Sequence, residues 1–293
     1  MTRPSAARLW TRRLVALGVL VVMLALGVWV ARASLDVVVD EPAPPTTRAA
    51  APKPPKPLRI VFPEGFTREQ MAQRIAAVNR IAKRTRKITP RLSPRAYRVV
   101  TARLPPPRGF AEARGQTLEG FLFPATYEFV RRTTSRQLVG RQLEAFRRNW
   151  RKLNLAYARE RNLTAYDVLI IASMVEREVR VPRERPLVAA VIYNRLRAGI
   201  PLGIDATLRY GLKIPPTEAI RQSQLEDPTP YNTRIHAGLP PTPIGNPGLA
   251  ALRAAARPAP VDFLFFVRNE DCRTHFFTAD EDEFLARVAG PRC

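Results

Sequence analysis

Leu14–Ala31 reads LVALGVLVVMLALGVWVA, a run without a charge, and it restricts the possible folds of this 293-residue chain more than any other segment. As a helix it would be about 27 Å long at ~1.5 Å per residue, close to the ~30 Å hydrocarbon thickness of a bilayer. It is apolar on every face and flanked by charge, which argues against a helix buried in a soluble core. Arg3, Arg8, Arg12 and Arg13 precede it, whereas Arg32, Asp36, Asp40 and Glu41 follow. That asymmetry predicts a single-pass anchor in the cell membrane, with residues 1–13 cytoplasmic, 14–31 spanning the bilayer and the rest extracytoplasmic. The alternative is a cleaved leader with Ala31-Arg32-Ala33 as its cleavage site, although the apolar run exceeds the usual ~7–15 residues of such segments.

Residues 32–57 are expected to form a linker. The part from Asp40 to Pro57, DEPAPPTTRAAAPKPPKP, is rich in proline and alanine and has no apolar periodicity, so it cannot bury enough surface to fold. At ~3.1 Å per residue it reaches about 55 Å, which suits a stiff spacer that holds the following domain away from the bilayer. The net charge of +23 comes from 48 Lys and Arg against 25 Asp and Glu. Such an excess favours polyanionic surroundings, whether nucleic acid, anionic lipid or anionic wall polymer. The arginines are scattered, with no clear base-reading helix and no aromatics interleaved with the cations, so no nucleic-acid partner is expected. Cys272 and Cys293 are the only cysteines, and His236 and His275 the only histidines. Neither a metal site nor a cofactor is expected from that set. The cysteines read equally as two free thiols or as one disulfide closing a loop of about 20 residues.

The rest of the chain predicts an α+β fold in two parts, a small α+β module over 58–115 and a larger α+β domain over 116–293. Leu58–Phe62 (LRIVF) reads as a strand and Pro63-Glu64-Gly65 as a turn. Thr67 with Gln70 makes a capping box for a helix bearing Met71, Ile75, Val78 and Ala82 at helical spacing. A second helix follows Ser93-Pro94, and a strand–helix–helix–strand unit would close by about Gly115. Ser135 is expected to cap a helix with Val139, Leu143, Phe146, Trp150 and Leu153 facing a core. Thr164 with Asp167 starts a helix from Ala165 to about Val179, ending near Pro182. Pro186 suits the first turn of the next, with Val188, Val191, Ile192 and Leu196 inward and Gly199 as its stop. Val261–Val267 (VDFLFFV) reads as a buried strand that can pair with Thr274–Thr278, and Ala279–Val288 as a closing helix. No internal repeat is visible.

The helix from Ala165 carries two candidate acids. Its apolar face is built from Val168, Ile171, Ala172, Val175 and Val179; Glu176 lies at one border beside Leu169 and Ala172, and Glu178 near the other beside Ile171. A carboxyl at an apolar margin loses hydration, which favours the protonated form that a general acid needs. Periodicity does not choose between the two, and either also reads as an ordinary glutamate paired with a nearby arginine.

Four blocks, in order, carry a resemblance: LEGFLFPATYEF (118–129), ASMVEREV (172–179), VIYNRLRAGIPLGIDATLRYG (191–211) and PYNTRIHAGLPPTPIGNPG (230–248). They resemble the endolytic murein transglycosylases, the YceG-like family of membrane-anchored enzymes that cut peptidoglycan glycan strands. In the second block the resemblance selects Glu176 as the catalytic glutamate. In the third, Asn194, Arg195, Leu196, Gly199, Leu202, Asp205 and Thr207 match the family pattern, while Gly203 and Ile204 depart from it. The resemblance implies a LysM-like, glycan-orienting module for 58–115, a catalytic domain for 116–293, and peptidoglycan synthases as partners.

The activity implied is cleavage without water. Hydrolytic glycosidases typically use two carboxylates. Here the C6 hydroxyl of N-acetylmuramic acid (MurNAc) is the nucleophile, so Glu176 alone would protonate the leaving oxygen and then accept the C6 hydroxyl proton as the 1,6-anhydro ring closes. Asp205 is the best second carboxylate, with a positioning role or a structural turn as equal readings. Asn194, Asn232 and Thr233 offer groups suited to sugar hydroxyls and N-acetyl groups, and Tyr231 a ring to stack on a sugar. The other reading of Asn232 and Thr233 is a turn before His236. The four prolines between Gly238 and Gly248 make a stiff loop that shapes the cleft. Glu119 reads as part of a structural turn, and His275 as a hydrogen-bonded core residue in preference to a cleft residue. A non-enzymatic, membrane-anchored wall-binding scaffold is the alternative function.

Overall fold

The computed structural model describes residues 6–35 and 57–290, so the proline-rich run 40–56 lies outside the described residues. The chain divides into two units, 1–54 and 55–293. The first contains α1 (Ala6–Leu35), longer at both ends than the uncharged run of the sequence. Its window Val15–Arg32 has a mean hydropathy of 2.3 and no buried residue, so it is long and apolar enough to cross a membrane.

The second unit opens with β1 (Leu58–Val61), followed by α2 (Arg68–Arg86) and α3 (Pro94–Arg103). The expected capping box is present, with Gln70 N donating to Thr67 Oγ1 and Gln70 Oε1 accepting from Thr67 N. The strand that pairs with β1 is β2 (Thr126–Phe129), antiparallel with Leu58 opposite Phe129 and Val61 opposite Thr126. The small unit therefore closes past Gly115, where no strand occurs among the described residues. Leu58 and Ile60 point inward from β1, and Tyr127 and Phe129 from β2.

Next comes α4 (Ser135–Trp150), whose cap is Thr134 and not Ser135. Thr134 completes a capping box with Gln137, which turns Ser135 inward to exchange hydrogen bonds with the backbone of Ser93, the cap of α3. Between α2, α3 and α4, Tyr97 donates to Gln142 Oε1 at 2.8 Å inside the core. That pairing satisfies two polar groups that would otherwise be costly to bury.

After α5 (Ala156–Arg159) the chain enters α6 (Ala165–Glu178), capped by Thr164 and Asp167 as the sequence predicts. Every residue of α6 from Val168 to Val175 is buried, so the helix is enclosed on all sides rather than on one face. Around it lie α7 (Arg185–Ala198), stopped by Gly199, and the alanine-rich α10 (Leu249–Ala256), whose small side chains allow close approach. The link between them contains α8 (Asp205–Gly211) and α9 (Gln222–Leu225). A hairpin of β3 (Phe265–Arg268) and β4 (His275–Thr278) follows, then α11 (Glu281–Ala289), capped by Asp280. Within Val261–Val267 only the last three residues join a strand. His275 is the buried, hydrogen-bonded residue expected, with Nδ1 2.8 Å from Glu184 Oε2. Cys272 is disulfide-bonded; Cys293, the other cysteine, lies outside the described residues.

Candidate active site

Glu176 lies in the last turn of α6, where the helix leaves the core. Its side chain is only 5% exposed, so the carboxyl is not directed into bulk solvent. Three segments converge on it. Gly248 N, at the N-cap of α10, donates to Oε2 at 2.8 Å. Arg185, the first residue of α7, approaches Oε1 with Nη2 at 3.4 Å. The turn after β1 closes the third side: a Cβ on Gly65 would sit 3.5 Å from Glu176 Cγ. Gly65 has φ of +75°, a left-handed conformation that favours glycine.

The turn and the proline-rich loop are joined by backbone hydrogen bonds from Gly65 N to Asn246 O and from Asn246 N to Phe66 O. Ser173 Oγ accepts from Ile244 N at 3.0 Å and fixes the same loop to α6. The stiff loop thus holds a donor, Gly248 N, against the Glu176 carboxyl.

Glu64, in the same turn, was not singled out by the sequence. Its carboxylate occupies the space that a side chain at Gly248 would need, with Oε1 1.8 Å from an added Cβ. Burial, then the charge of Glu176, raise its pKa, and Arg185 opposes them. Glu64, Glu176 and Arg185 therefore form one electrostatic group contributed by three separate elements. The signal available in the sequence was a glutamate in a Pro-Glu-Gly turn directly after an apolar strand. Nothing comparable marked Arg185.

Glu178 points elsewhere. It accepts from Ala206 N at 3.3 Å, at the start of α8, and desolvation followed by the nearby Asp205 charge raises its pKa against that hydrogen bond. The two glutamates that periodicity left equivalent thus have distinct surroundings: Glu178 anchors α8, and Glu176 faces the meeting of three segments.

Of the remaining expected site residues, Asp205, Tyr231 and Thr233 gather around α8, whereas Asn194 on α7 bonds the chain before β3 and Asn232 the chain at and after α9. Asp205 is exposed and paired with Arg234 at 2.5 Å. Tyr231 bonds Thr242 Oγ1 at 2.8 Å, its ring 5.2 Å from that of Tyr210. Asn194, Asn232 and Thr233 are buried and direct polar atoms into the fold. Asn194 Nδ2 donates to Val261 O and Phe263 O, and Asn232 Nδ2 to Leu225 O and Asp227 O. Thr233 Oγ1 accepts from Ile204 N and lies 3.0 Å from Thr207 Oγ1. Short polar side chains in a loop satisfy buried backbone groups as readily as they bind sugars, and the sequence does not distinguish these uses.

This cluster reaches Glu176 through Glu119. That carboxyl is buried and accepts from Arg68 N at 3.0 Å, Asn246 Nδ2 at 2.7 Å and Tyr210 Oη at 3.2 Å. Desolvation pushes its pKa up to about 7 against those hydrogen bonds. The expected structural turn is therefore a node that fixes the loop ending at Gly248. No cluster suited to a metal ion occurs among the described residues.

Comparison with known proteins agrees with this architecture. The sequence profile of the YceG-like family matches residues 46–290, and the chain belongs to that family. It is 31% identical over 256 residues to an endolytic murein transglycosylase of Streptococcus pneumoniae, covering 81% of this chain and 45% of that protein. An endolytic murein transglycosylase of Bacillus subtilis is 32% identical over 154 residues, 53% of this chain and 42% of that one. The chain thus spans less than half the length of these curated relatives. A crystal structure of a yceG-like protein from Listeria monocytogenes superposes with a TM-score of 0.62 at 28% identity, covering 78% of this chain and 75% of that one.

Proposed function

We propose that this chain is an endolytic lytic transglycosylase, a carbon–oxygen lyase that cuts the bond between MurNAc and N-acetylglucosamine inside peptidoglycan strands and leaves 1,6-anhydro-MurNAc ends. One observation carries the reading: in a YceG-like chain, the Glu176 carboxyl is withdrawn from solvent where three segments converge. Glu176 first protonates the glycosidic oxygen leaving from C1. As C1 becomes electron-poor the C6 hydroxyl of the same sugar attacks it, and Glu176 takes the hydroxyl proton. Donors on both Glu176 oxygens suit the carboxylate that receives this second proton. The low exposure excludes water that would otherwise compete for C1.

In this reading Asp205 and Tyr231 border the glycan path, because both retain exposed surface. Asn194, Asn232 and Thr233 hold its walls. A LysM-like module, expected over 58–115 and closed in the fold by β2, orients the strand. Helix α1 anchors the protein with the N-terminus cytoplasmic, the linker that follows it spaces the second unit from the bilayer, and peptidoglycan synthases are its partners. Release of anhydro ends in nascent material would terminate strand elongation.

The test is incubation of the full-length protein in detergent with uncross-linked glycan strands, followed by product mass measurement. Wild type yields anhydro-MurNAc ends and Glu176→Gln does not. Intact glycan after incubation with wild type would leave only a wall-binding scaffold. Reporter fusions at the two ends of the chain read the orientation; a cytoplasmic C-terminus would remove the wall as substrate.

A further inference from the structure

A groove of about 770 Å³ lies next to the Glu176 site, between the segment 152–157, the start of α7 and the outer face of α10. Its charge is one-sided: Lys152, Arg185, Arg253 and Arg257 line it, with Glu160 as the only acid. Arg253 and Arg257 are exposed, and their guanidinium groups make no hydrogen bond or ion pair among the described residues. Arg185 differs from both. Its Nη2 approaches Glu176 Oε1, while its Nε is buried with no hydrogen-bond partner. One residue therefore belongs to the groove and to the acid at once.

We propose that this groove binds the acidic stem peptide of the muramic acid whose C1 is cleaved, with Arg253 and Arg257 meeting peptide carboxylates and Arg185 coupling occupancy to Glu176. The substrate class rests on the transglycosylase reading; the groove itself does not. Guanidinium groups without partners on an exposed wall attract carboxylates and match their planar geometry. A stem peptide hangs from the lactyl ether of the very sugar that is cut, so its receptor must lie close to the acid. This groove meets that requirement, because Glu176's own partner forms part of its wall. Tyr157 adds an apolar surface suited to the methyl groups of alanine residues. A carboxylate that engages Arg185 competes with Glu176 for the guanidinium. Occupancy then loosens the hold on Glu176 when a proton is to be donated.

The experiment uses the full chain in detergent micelles and two substrates, uncross-linked strands with stem peptides and the same strands stripped by an amidase. The ratio of kcat/KM for the two is the readout. Wild type is expected to prefer stem-bearing strands, and Arg253→Glu combined with Arg257→Glu to lower that preference about tenfold. An unchanged ratio overturns the proposal. Arg253→Gln with Arg257→Gln gives a smaller loss and serves if the charge reversal disturbs folding. If wild type cuts neither substrate, the transglycosylase reading fails and the groove is read by calorimetry with a synthetic stem pentapeptide. There the reversal is expected to weaken Kd about tenfold, and added salt to weaken wild-type binding, since exposed charges are screened. Equal Kd values for wild type and variant, or loss of poly(glycerol phosphate) binding with peptide binding retained, overturn it.

Discussion

Glu119 and Glu176 are both withdrawn from water and both hold the loop between Gly238 and Gly248, yet only Glu176 borders an open groove through its partner. Glu119 accepts from three donors on three segments and has no open side. Glu176 has one firm donor, Gly248 N, and one long contact to an arginine that lines an open groove. Desolvation alone therefore does not mark a catalytic carboxyl. A group that must give and regain a proton also needs a partner able to move and a face that substrate can reach.

The sharpest test of this contrast exchanges each carboxyl for its amide. Glu176→Gln is expected to lower the rate of anhydro-end formation by at least about a hundredfold, the scale of a lost general acid. Its cost in stability is about 1 kcal/mol, since the amide oxygen still accepts from Gly248 N. Glu178→Gln, whose contact is with the start of α8, is expected to stay within about tenfold of wild type in the same assay. Comparable losses at 176 and 178 would falsify the assignment of the acid.

Glu119 is expected to appear in stability instead. Its folded pKa of about 7 lies above the ordinary glutamate value of 4.5. Protons bound by the folded state then stabilise it fully below about pH 4.5, and that contribution disappears as pH rises through about 7. The difference is of order 3 kcal/mol. Thermal unfolding between pH 4.5 and 8 should show the decline in wild type. In Glu119→Gln the slope should become clearly shallower, keeping only what Glu64 and Glu178 contribute, since their carboxyl pKa values are raised too, while the lost acceptor lowers the acid-side stability by about 1–3 kcal/mol. An unchanged slope in the variant would assign the effect to other groups.

Much of the frame was legible because it is local. Thr67 with Gln70, Thr164 with Asp167, and Gly199 mark helix ends through contacts within a few residues, and the structure places them there. The misses involve distance. The partner of β1 lies 68 positions further on, in a segment with no stronger strand pattern than its neighbours. Thr134 caps α4 although Ser135 is equally suited chemically, because Ser135 is drawn inward by Ser93 across the α3–α4 contact. At the site, Glu176 could be placed at the edge of an apolar face, but Glu64 and Arg185 meet it only through tertiary packing. Asn232 and Thr233 have the composition of sugar ligands, yet buried carbonyls and amides claim their polar atoms first.

The smallest expected effect concerns how Glu64 tunes its neighbour. Its carboxylate rests against Gly248 and interacts with Glu176 and Arg185. Removing that negative charge leaves less repulsion between the two carboxylates, so the protonated form of the pair is less favoured. Glu64→Gln is therefore expected to move the pH–rate profile toward lower pH by a fraction of a unit, with the maximal rate little changed. Gly248→Ala should produce the same shift by another route. Its φ of −78° tolerates alanine, but the new Cβ must push the Glu64 carboxylate aside, and a flexible side chain can swing into solvent. If both variants act through Glu64, their effects do not add, and the double variant matches the stronger single one. Additive shifts would mean that Gly248 acts on Glu176 only through its N–H, and that Glu64 is a bystander on the rim.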